Sequence, residues 1–406
     1  MRVNGLISPL LHFIASLLKF TKNRRRLPFQ LQFRRIVMAG IYVHVPFCKQ
    51  KCTYCDFASY PKEIGKAEAY FACMIKEINS RGEELKGKTF DTVYFGGGTP
   101  SFVSAGYIAA IAKKLNERFT IASNPEITLE LNPGTIDEEK VSIYKRAGIN
   151  RFSIGLQSAY DDRLLSLNRI HTAADFKQAC KLLKGENFSA DVMIGFEAQK
   201  SQEVKDTIDL AVNCGAKHIS LYALKPEEGT PMFGKYLNGD LLSEDETTDL
   251  YDFAREHLKS LGFERYEVSN SALPGYRSRH NMNYWKRGEY IGFGVAASSC
   301  INNRRFTNTE SIDEYVHCLL HDKYAEVFSE QIEGDEIISE YIMLALRTAD
   351  GIDLNDYLKN FGSDFKEDFK FELNKESKYL DISDDRVKIK DEYLFVQNNI
   401  IINFLK

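Results

Sequence analysis

Residues 41–57 read IYVHVPFCKQKCTYCDF, and this stretch decides the fold of the chain. It opens with an apolar, β-branched run that is typical of a buried strand. The strand runs directly into a short loop that carries Cys48, Cys52 and Cys55. Three thiolates in one tight loop can each ligate one iron of a cubane cluster, which leaves the fourth iron without a protein ligand. An open coordination position of this kind is what substrate activation at a metal requires.

Other interpretations of the cysteine loop remain open from these residues alone. A structural zinc site is closed by four ligands, and His44 could complete a Cys3His set. Against this, His44 should lie within the strand, on the same face as Tyr42, where it reaches the loop poorly. The three thiols could also be unligated.

Composition narrows the class of protein. The chain has 406 residues, of which 44% are hydrophobic and 27% charged, so it can bury a large core. Its net charge of −4 gives no overall basic field, and nucleic acid is not an expected partner. Eight cysteines, three of them clustered, favour a metal site in a reducing cytoplasm over a disulfide framework.

Strand-like and helical segments alternate regularly after Met38. Strands are predicted at residues 40–45, 92–95, 127–131, 151–156, 189–194 and 218–224. Helical periodicity predicts helices at residues 67–84, 105–118, 137–147, 172–183 and 203–213. Such alternation indicates βαβ units and a parallel sheet, either closed toward a barrel or open, with ligands at the carboxyl ends of the strands.

Polar and glycine-rich motifs fall at these predicted strand ends. Residues 96–100, GGGTP, end the second strand and would let backbone N–H and C=O groups approach a ligand closely. The motif is neither a P-loop nor a dinucleotide fingerprint, and alone it could be a tight turn. Glu130 ends the third strand, Gln157 ends the fourth and Asp191 lies in the fifth. Together they would line one mouth with groups able to bind an amine, a carboxylate and ribose hydroxyls.

These motifs resemble those of the radical S-adenosylmethionine (SAM) superfamily. Cys-x3-Cys-x2-Cys is its signature, and residues 96–100 look like its glycine motif. The wider match, over residues 39–400, resembles the coproporphyrinogen dehydrogenase-like branch, through stretches that include VYFGGGTPS, LELNPGT, RFSIGLQS and RHNMNYW. The resemblance implies an α/β fold, namely a partial (β/α)6 TIM-like barrel with a small C-terminal winged-helix-like α+β domain.

Two types within this branch are candidates. The dehydrogenase type acts on coproporphyrinogen III in porphyrin biosynthesis and carries a fourth cysteine two positions after the third. That position is Phe57 here, as in the haem-chaperone type. Residues 280–284, HNMNY, also resemble the His-Asn-x-x-Tyr motif of the chaperone type, which is associated with haem binding. One departure is the turn at residues 195–199, GFEAQ, where the family usually has a proline, so the loop that follows is expected to be less rigid.

The resemblance assigns roles residue by residue. Cys48, Cys52 and Cys55 would hold a [4Fe–4S] cluster. Arg169 would grip the SAM carboxylate through parallel hydrogen bonds, although a surface arginine is the plain alternative. The SAM positions as a group are Tyr42, Tyr54, Gly97, Gly98, Thr99, Glu130, Gln157, Arg169, Asp191 and Ala223. His280, and more weakly Tyr284, would contact haem, although a histidine beside Asn and Tyr is often simply hydrogen-bonded within the fold.

The expected function is to bind haem and pass it to apo-haemoproteins, with an electron donor for the cluster and a monomeric or homodimeric state. Whether reductive SAM cleavage is needed cannot be read from the residues, so an enzymatic activity is left open. An RNA-modifying radical SAM protein would need a second cysteine triad and a basic domain, and the sequence has neither.

The predicted organisation has four parts: an N-terminal extension (1–37), a barrel core (38–235), an α/β extension (236–325) and a C-terminal domain (326–406). Residues 6–20 are apolar but too short for a membrane span, and the basic residues follow them, unlike in a signal peptide. We expect translation to start at Met38. A peripheral membrane anchor or a targeting peptide is the alternative.

Overall fold

The structure is a computed structural model that describes residues 39–406. The predictions about residues 1–37 and the start at Met38 lie outside the described residues. Within residues 39–406, none of the helices combines the length and the apolar character needed to cross a bilayer.

Six parallel strands, each paired with the next along the chain, form the centre of the fold. They are β1 (Ala39–Val45), β2 (Thr89–Gly97), β3 (Thr120–Leu131), β4 (Arg151–Gln157), β5 (Asn187–Ile194) and β6 (His218–Ala223). The helices that connect them are Ala67–Glu84, Ala105–Arg118, Glu138–Arg146, Asp161–Ser166, Ala173–Leu182 and Ser201–Asn213. All six predicted strands and five predicted helices are confirmed. The short helix Asp161–Ser166 was not predicted.

The sheet continues beyond both sides of this parallel core. Beside β1 lie β9 (Tyr290–Phe293), which is also parallel, and then antiparallel β10 (Ser298–Ile301), β11 (Arg304–Asn308) and β12 (Glu326–Gln331). Beside β6 lie β8 (Asn270–Ala272) and β7 (Glu264–Arg265). The sheet formed by the described residues therefore keeps two edges, and the barrel is partial. Its further helices are Phe233–Leu237, Glu244–Ser260, Arg279–Trp285 and Ile312–Leu320.

Alternation along the parallel strands sorts the side chains between two environments. In β1, Ile41, Val43 and Val45 join the main apolar core, whereas Tyr42 and His44 point to the other face. The same period in β4, β5 and β6 sends apolar residues into the core and polar ones inward: Arg151, Ser153, Gln157, Ser189, Asp191, His218 and Ser220. The inside of the barrel is thus polar, unlike the packed interior of a closed TIM barrel. It can serve as a binding site.

A second apolar core marks the C-terminal part of the chain. It draws on residues from Ile332 to Phe404 and surrounds a three-stranded antiparallel sheet. The strands are β13 (Ile352–Asp353), β14 (Leu380–Ile382) and β15 (Arg386–Ile389), and β14 and β15 form an antiparallel hairpin. The helices here are Asp335–Ala345, Leu354–Phe361, Phe365–Asp368, Lys370–Glu376 and Gln397–Ile401.

Buried Glu77 ties the first helix to the strands that extend the sheet beside β1. Its carboxylate accepts hydrogen bonds from Tyr315 Oη at 2.7 Å, Asn308 Nδ2 at 2.8 Å and the Gly294 backbone N at 3.0 Å. Burial raises the pKa of Glu77, and these three donors oppose the rise. The carboxylate therefore holds three separate segments in one place.

We expect Glu77→Ala to lower the free energy of unfolding by about 2–4 kcal/mol, because it leaves buried donors without an acceptor. Urea unfolding followed by circular dichroism measures this change. The matched control is Glu68→Ala on the exposed side of the same helix, where a loss of a few tenths of a kcal/mol is expected. Equal effects of the two substitutions would contradict the role assigned to Glu77.

Candidate functional site

A cavity of about 630 Å³ opens at the carboxyl ends of the parallel strands and continues into the barrel. The three clustered cysteines and all ten residues predicted to contact SAM line it. His280 and Tyr284 do not. The tertiary structure therefore brings the cysteines and the predicted SAM residues together at one cavity. It places the predicted haem residues, His280 and Tyr284, outside the lining of that cavity.

Each thiol of the cysteine loop has its own polar neighbour. Thr99 Oγ1 donates to Cys48 Sγ at 3.6 Å, and Arg169 Nη1 donates to Cys52 Sγ at 3.6 Å. Cys55 Sγ lies 3.8 Å from Ser59 Oγ. Donors of this kind stabilise thiolates and tune a metal centre from outside its ligand shell. Ser59 was not identified from the sequence, since only the folded loop brings it next to Cys55.

The donor set of three thiols fits an iron–sulfur cluster, in which each thiolate binds one iron. Among residues 39–406, no group of three His, Cys, Asp or Glu side chains converges closely enough to bind one ion. Cubane ligands need no such convergence, because each thiolate binds a different iron. Burial raises the pKa of the Cys48 thiol to about 11, so the loop must lose this proton when it takes up a metal.

His44 is engaged elsewhere and does not complete a zinc site. Its Nδ1 lies 3.0 Å from Tyr42 Oη, and its Nε2 lies 2.8 Å from the Ala58 carbonyl oxygen. Both ring nitrogens are therefore used. The expectation that His44 shares a face with Tyr42 is confirmed, and its Nε2 contacts the chain three residues beyond Cys55, at Ala58.

The glycine turn, residues 96–100, is joined to the cysteine loop by backbone hydrogen bonds. Gly98 N donates to Val45 O and Thr99 N donates to Phe47 O, each at 2.8 Å. Gly97 has a φ of 113°, and a Cβ there would lie 2.7 Å from the His44 ring. A Cβ on Gly98 would lie 2.9 Å from Cys48 Sγ. The glycines are thus required by close approach and by backbone conformation.

Two carboxyl groups lie inside the rim. Glu130 accepts hydrogen bonds from Tyr94 Oη at 2.8 Å and Gly97 N at 3.1 Å, and Ser153 Oγ lies 3.4 Å from Asp191 Oδ1. Burial raises the pKa of Glu130 to about 7 and that of Asp191 to about 6. A cationic amine bound between them would lower both pKa values. Their placement suits the ammonium and hydroxyl groups of SAM.

Arg169 spans the site between the cysteine loop and β4. Besides Cys52, it donates from Nη2 to the Gly155 carbonyl at 2.8 Å, and a Cβ on Gly155 would lie 2.6 Å from that nitrogen. The ladder between β4 and β5 is irregular here, and Gln157 has a φ of 66°. The Nε of Arg169 is buried without a hydrogen-bond partner among the described residues. This unpaired donor is consistent with a bound carboxylate and excludes the surface alternative.

The turn at residues 195–199 is held without the family's proline. The Gln199 side chain accepts from Gly195 N at 2.8 Å and from Phe196 N at 3.3 Å, and it donates to Met193 O at 3.4 Å. Gln199 thus fixes the turn next to Asp191 by other means. The missing proline is visible in the sequence, whereas the contacts of Gln199 appear only in the folded turn.

His280 is enclosed by the fold. Its Nδ1 lies 2.8 Å from Thr92 Oγ1 and its Nε2 lies 3.0 Å from Tyr284 Oη, while its ring stacks on Tyr94. Burial lowers the pKa of His280 to about 3, which keeps the imidazole neutral. This arrangement is the hydrogen-bonded alternative considered from the sequence. Ligation of haem iron by His280 stays a prediction, and it would require one of these hydrogen bonds to break.

An open parallel barrel with three thiols at its mouth defines the class of a radical SAM protein. The Radical SAM superfamily model matches residues 42–211, and the HemN C-terminal domain model matches residues 332–395. A solved structure titled "Coproporphyrinogen III oxidase (HemN) from Escherichia coli is a Radical SAM enzyme" has the same fold. It aligns with a TM-score of 0.80 and 18% identity, over 92% of this chain and 91% of that chain.

Curated relatives narrow the class further. "Heme chaperone HemW" of Escherichia coli is 35% identical over 263 residues, which cover 64% of this chain and 69% of that protein. "Heme chaperone HemW" of Synechocystis is 33% identical, with 78% and 80% covered. The protein of the same name from Lactococcus lactis is 29% identical, with 90% and 96% covered. The chain therefore belongs to the HemW family of the radical SAM superfamily, and this membership implies a [4Fe–4S] cluster and SAM as cofactors.

We expect Cys52→Ala to abolish cluster assembly, because it removes one of three thiolate ligands, and to leave the fold largely intact, because Cys52 is only half-buried. Iron and acid-labile sulfide, measured after anaerobic reconstitution, test this. Cys318→Ala, on the helix Ile312–Leu320, should retain the full content. Full iron and sulfide in Cys52→Ala would refute the ligand assignment.

Proposed function

We propose that this protein is a haem chaperone, which binds a [4Fe–4S] cluster and SAM at the cavity mouth and transfers haem to apo-haemoproteins. The observation that carries this proposal is the cysteine loop, in which three thiols face the cavity and Phe57 lines it at the position of the dehydrogenase's fourth cysteine. The similarity to proteins named as haem chaperones supports the same conclusion.

In this proposal Cys48, Cys52 and Cys55 hold the cluster, which when bound supplies the electron for reductive cleavage of the SAM sulfonium. The protein's own side chains and backbone orient SAM and shield it from water. Arg169 receives the methionine carboxylate on its unpaired Nε, and Glu130 and Asp191 receive the amine and ribose hydroxyls. The backbone of the glycine turn offers further partners. Tyr42, Tyr54, Gln157 and Ala223 complete the wall.

The remaining parts of the proposal follow from this chemistry. An electron donor must reach the cluster, and we place the protein in the cytoplasm, where thiols stay reduced. We retain the division into a barrel core, an extension that carries the HNMNY motif and a C-terminal domain. The two apolar cores, one of which gathers residues 332–404, support the last boundary.

The test begins with anaerobic spectra of the reconstituted protein before and after addition of haemin, followed by mixing with an apo-haemoprotein. A broad cluster absorption, a sharp haem band and appearance of the acceptor's own haem spectrum are expected. A cluster without haem binding, together with 5′-deoxyadenosine release in the presence of coproporphyrinogen III, would indicate the dehydrogenase instead. A colourless protein that contains zinc would refute the radical SAM site.

Haem ligation by His280 has its own test, because Tyr284 competes for the same nitrogen. If His280 binds the iron, Tyr284→Phe should keep or strengthen the haem band, since it frees Nε2. His280→Gln should weaken the band by about tenfold in affinity, since it removes an iron ligand. Thermal unfolding of both variants measures their stability separately. An unchanged haem spectrum in a folded His280→Gln protein would assign the iron ligand to another residue.

A further inference from the structure

The cavity continues inward from the proposed SAM site to an inner end whose residues take no part in holding the cluster or SAM. We define this inner end by Arg151, His218, Asn281, Arg347 and Gln397, all of which line the cavity. Arg151 and His218 are the first residues of β4 and β6, whereas Gln157 ends β4 at the SAM site. Since a strand rises ~3.3 Å per residue, the inner end lies about 20 Å from the rim.

Arg151 is buried there without the partner that a buried cation needs. It is 2% exposed, and its Nε and Nη2 have no hydrogen-bond partner among the described residues. No carboxylate of residues 39–406 forms an ion pair with it, although its charge is near enough to Asp191 to oppose the rise in the pKa of that carboxyl group. An arginine cannot lose its charge to escape this cost, so it would be retained for a ligand that pairs with it.

Arg347 presents a second buried guanidinium to the same cavity. It is 6% exposed and donates to the Met343 carbonyl at 2.8 Å and to Asn398 Oδ1 at 2.7 Å, both of them neutral acceptors. Burial lowers the pKa of Arg347 to about 10. Two buried cations without a carboxylate partner give this end of the cavity a positive potential.

Further unpaired groups and apolar side chains complete the wall. His218 Nδ1, Asn281 Oδ1 and Gln397 Oε1 are buried without hydrogen-bond partners in the described part of the chain. Trp285 and Phe395 line the same region and offer apolar surface. Of the four carboxyl groups that line the cavity, Asp56 and Glu227 are not buried, and Glu130 and Asp191 accept hydrogen bonds from Tyr94, Gly97 and Ser153. The guanidinium groups of Arg151 and Arg347 suit carboxylates, and Trp285 and Phe395 suit an apolar body, whereas the amide oxygens of Asn281 and Gln397 would need a donor.

From this lining we infer that the inner end of the cavity binds the propionate carboxylates of a porphyrin, with Arg151 and Arg347 as their partners. The inference rests on the proposed function. It names the part of the protein that binds the haem which the protein would transfer. It places the carboxylates at the amino ends of β4 and β6, far from the cluster and SAM. Guanidinium groups suit this task because they bind carboxylates through two parallel hydrogen bonds.

The test uses metal-free mesoporphyrin IX, which has the propionates but no iron, and its dimethyl ester, which lacks the charges. Their binding to the full, reconstituted protein is followed by porphyrin fluorescence. The unsubstituted protein should bind the diacid at least about tenfold more tightly than the ester. Arg151→Gln and Arg347→Gln should each reduce diacid affinity about tenfold and leave ester affinity unchanged.

Controls separate a binding role from a structural one. Arg146→Gln, on the exposed face of the helix Glu138–Arg146, should match the unsubstituted protein. Arg151→Lys keeps the charge and should recover part of the affinity. Since Arg151 makes no hydrogen bond within the described residues through Nε or Nη2, Arg151→Gln should unfold at the same temperature as the unsubstituted protein or higher.

Each outcome decides between the two proposals. Equal affinity for diacid and ester, or no effect of Arg151→Gln on diacid affinity, would overturn the subsite and leave the chaperone function standing. Competition by succinate as effective as that of the porphyrin diacid would show a site for small carboxylates and overturn the porphyrin assignment. Arginine-dependent porphyrin binding without haem transfer to an acceptor would support the subsite and refute the chaperone function. Absence of any mesoporphyrin binding would refute the subsite, and the chaperone function would fall with it only if haemin did not bind either.

Discussion

The parallel pairing of β1 with β2 is the constraint on which the site depends. The ladder does not stop at the strand ends, because Gly98 N and Thr99 N continue it onto the carbonyls of Val45 and Phe47. These two hydrogen bonds hold the start of the cysteine loop against the glycine turn. Cys48 lies so close to Gly98 that the turn has no room for a Cβ. The proposed cluster ligands and the backbone proposed to bind SAM are therefore positioned by one continuous piece of sheet.

Strand alternation then determines what the barrel contains. Ile41, Val43 and Val45 pack outward, and their counterparts in β4, β5 and β6 do the same, so the main core lies between sheet and helices. The inward residues are polar or charged, and several of them are buried. Burying polar groups without partners costs free energy, which larger apolar cores elsewhere must offset. A polar barrel interior with unpaired buried groups is consistent with a site that binds ligands.

The cavity holds its buried carboxyl groups and its inner arginines at different depths, although the charges of Arg151 and Arg169 both act on Asp191. Glu130 and Asp191 lie toward the cluster end, where SAM would bring a positive amine and sulfonium. Arg151 and Arg347 lie at the inner end and in the C-terminal part, without carboxylate partners. If they were in contact they would neutralise one another. Their separation along the barrel gives the cavity two ends with different ligand preferences.

The sequence by itself determined the parallel strands, the helices between them, the three thiols and the identity of the rim residues, because these depend on local periodicity and on motifs of adjacent residues. It did not identify Ser59 or Gln199, because their contacts form only once the local turns are folded, nor the inner arginines, because their burial depends on distant segments. Nor could it distinguish a surface Arg169 from a buried one, or show that both nitrogens of His280 are already hydrogen-bonded. Those outcomes were decided by the tertiary structure, because burial and the absence of a partner are properties of packed neighbours and not of sequence spacing.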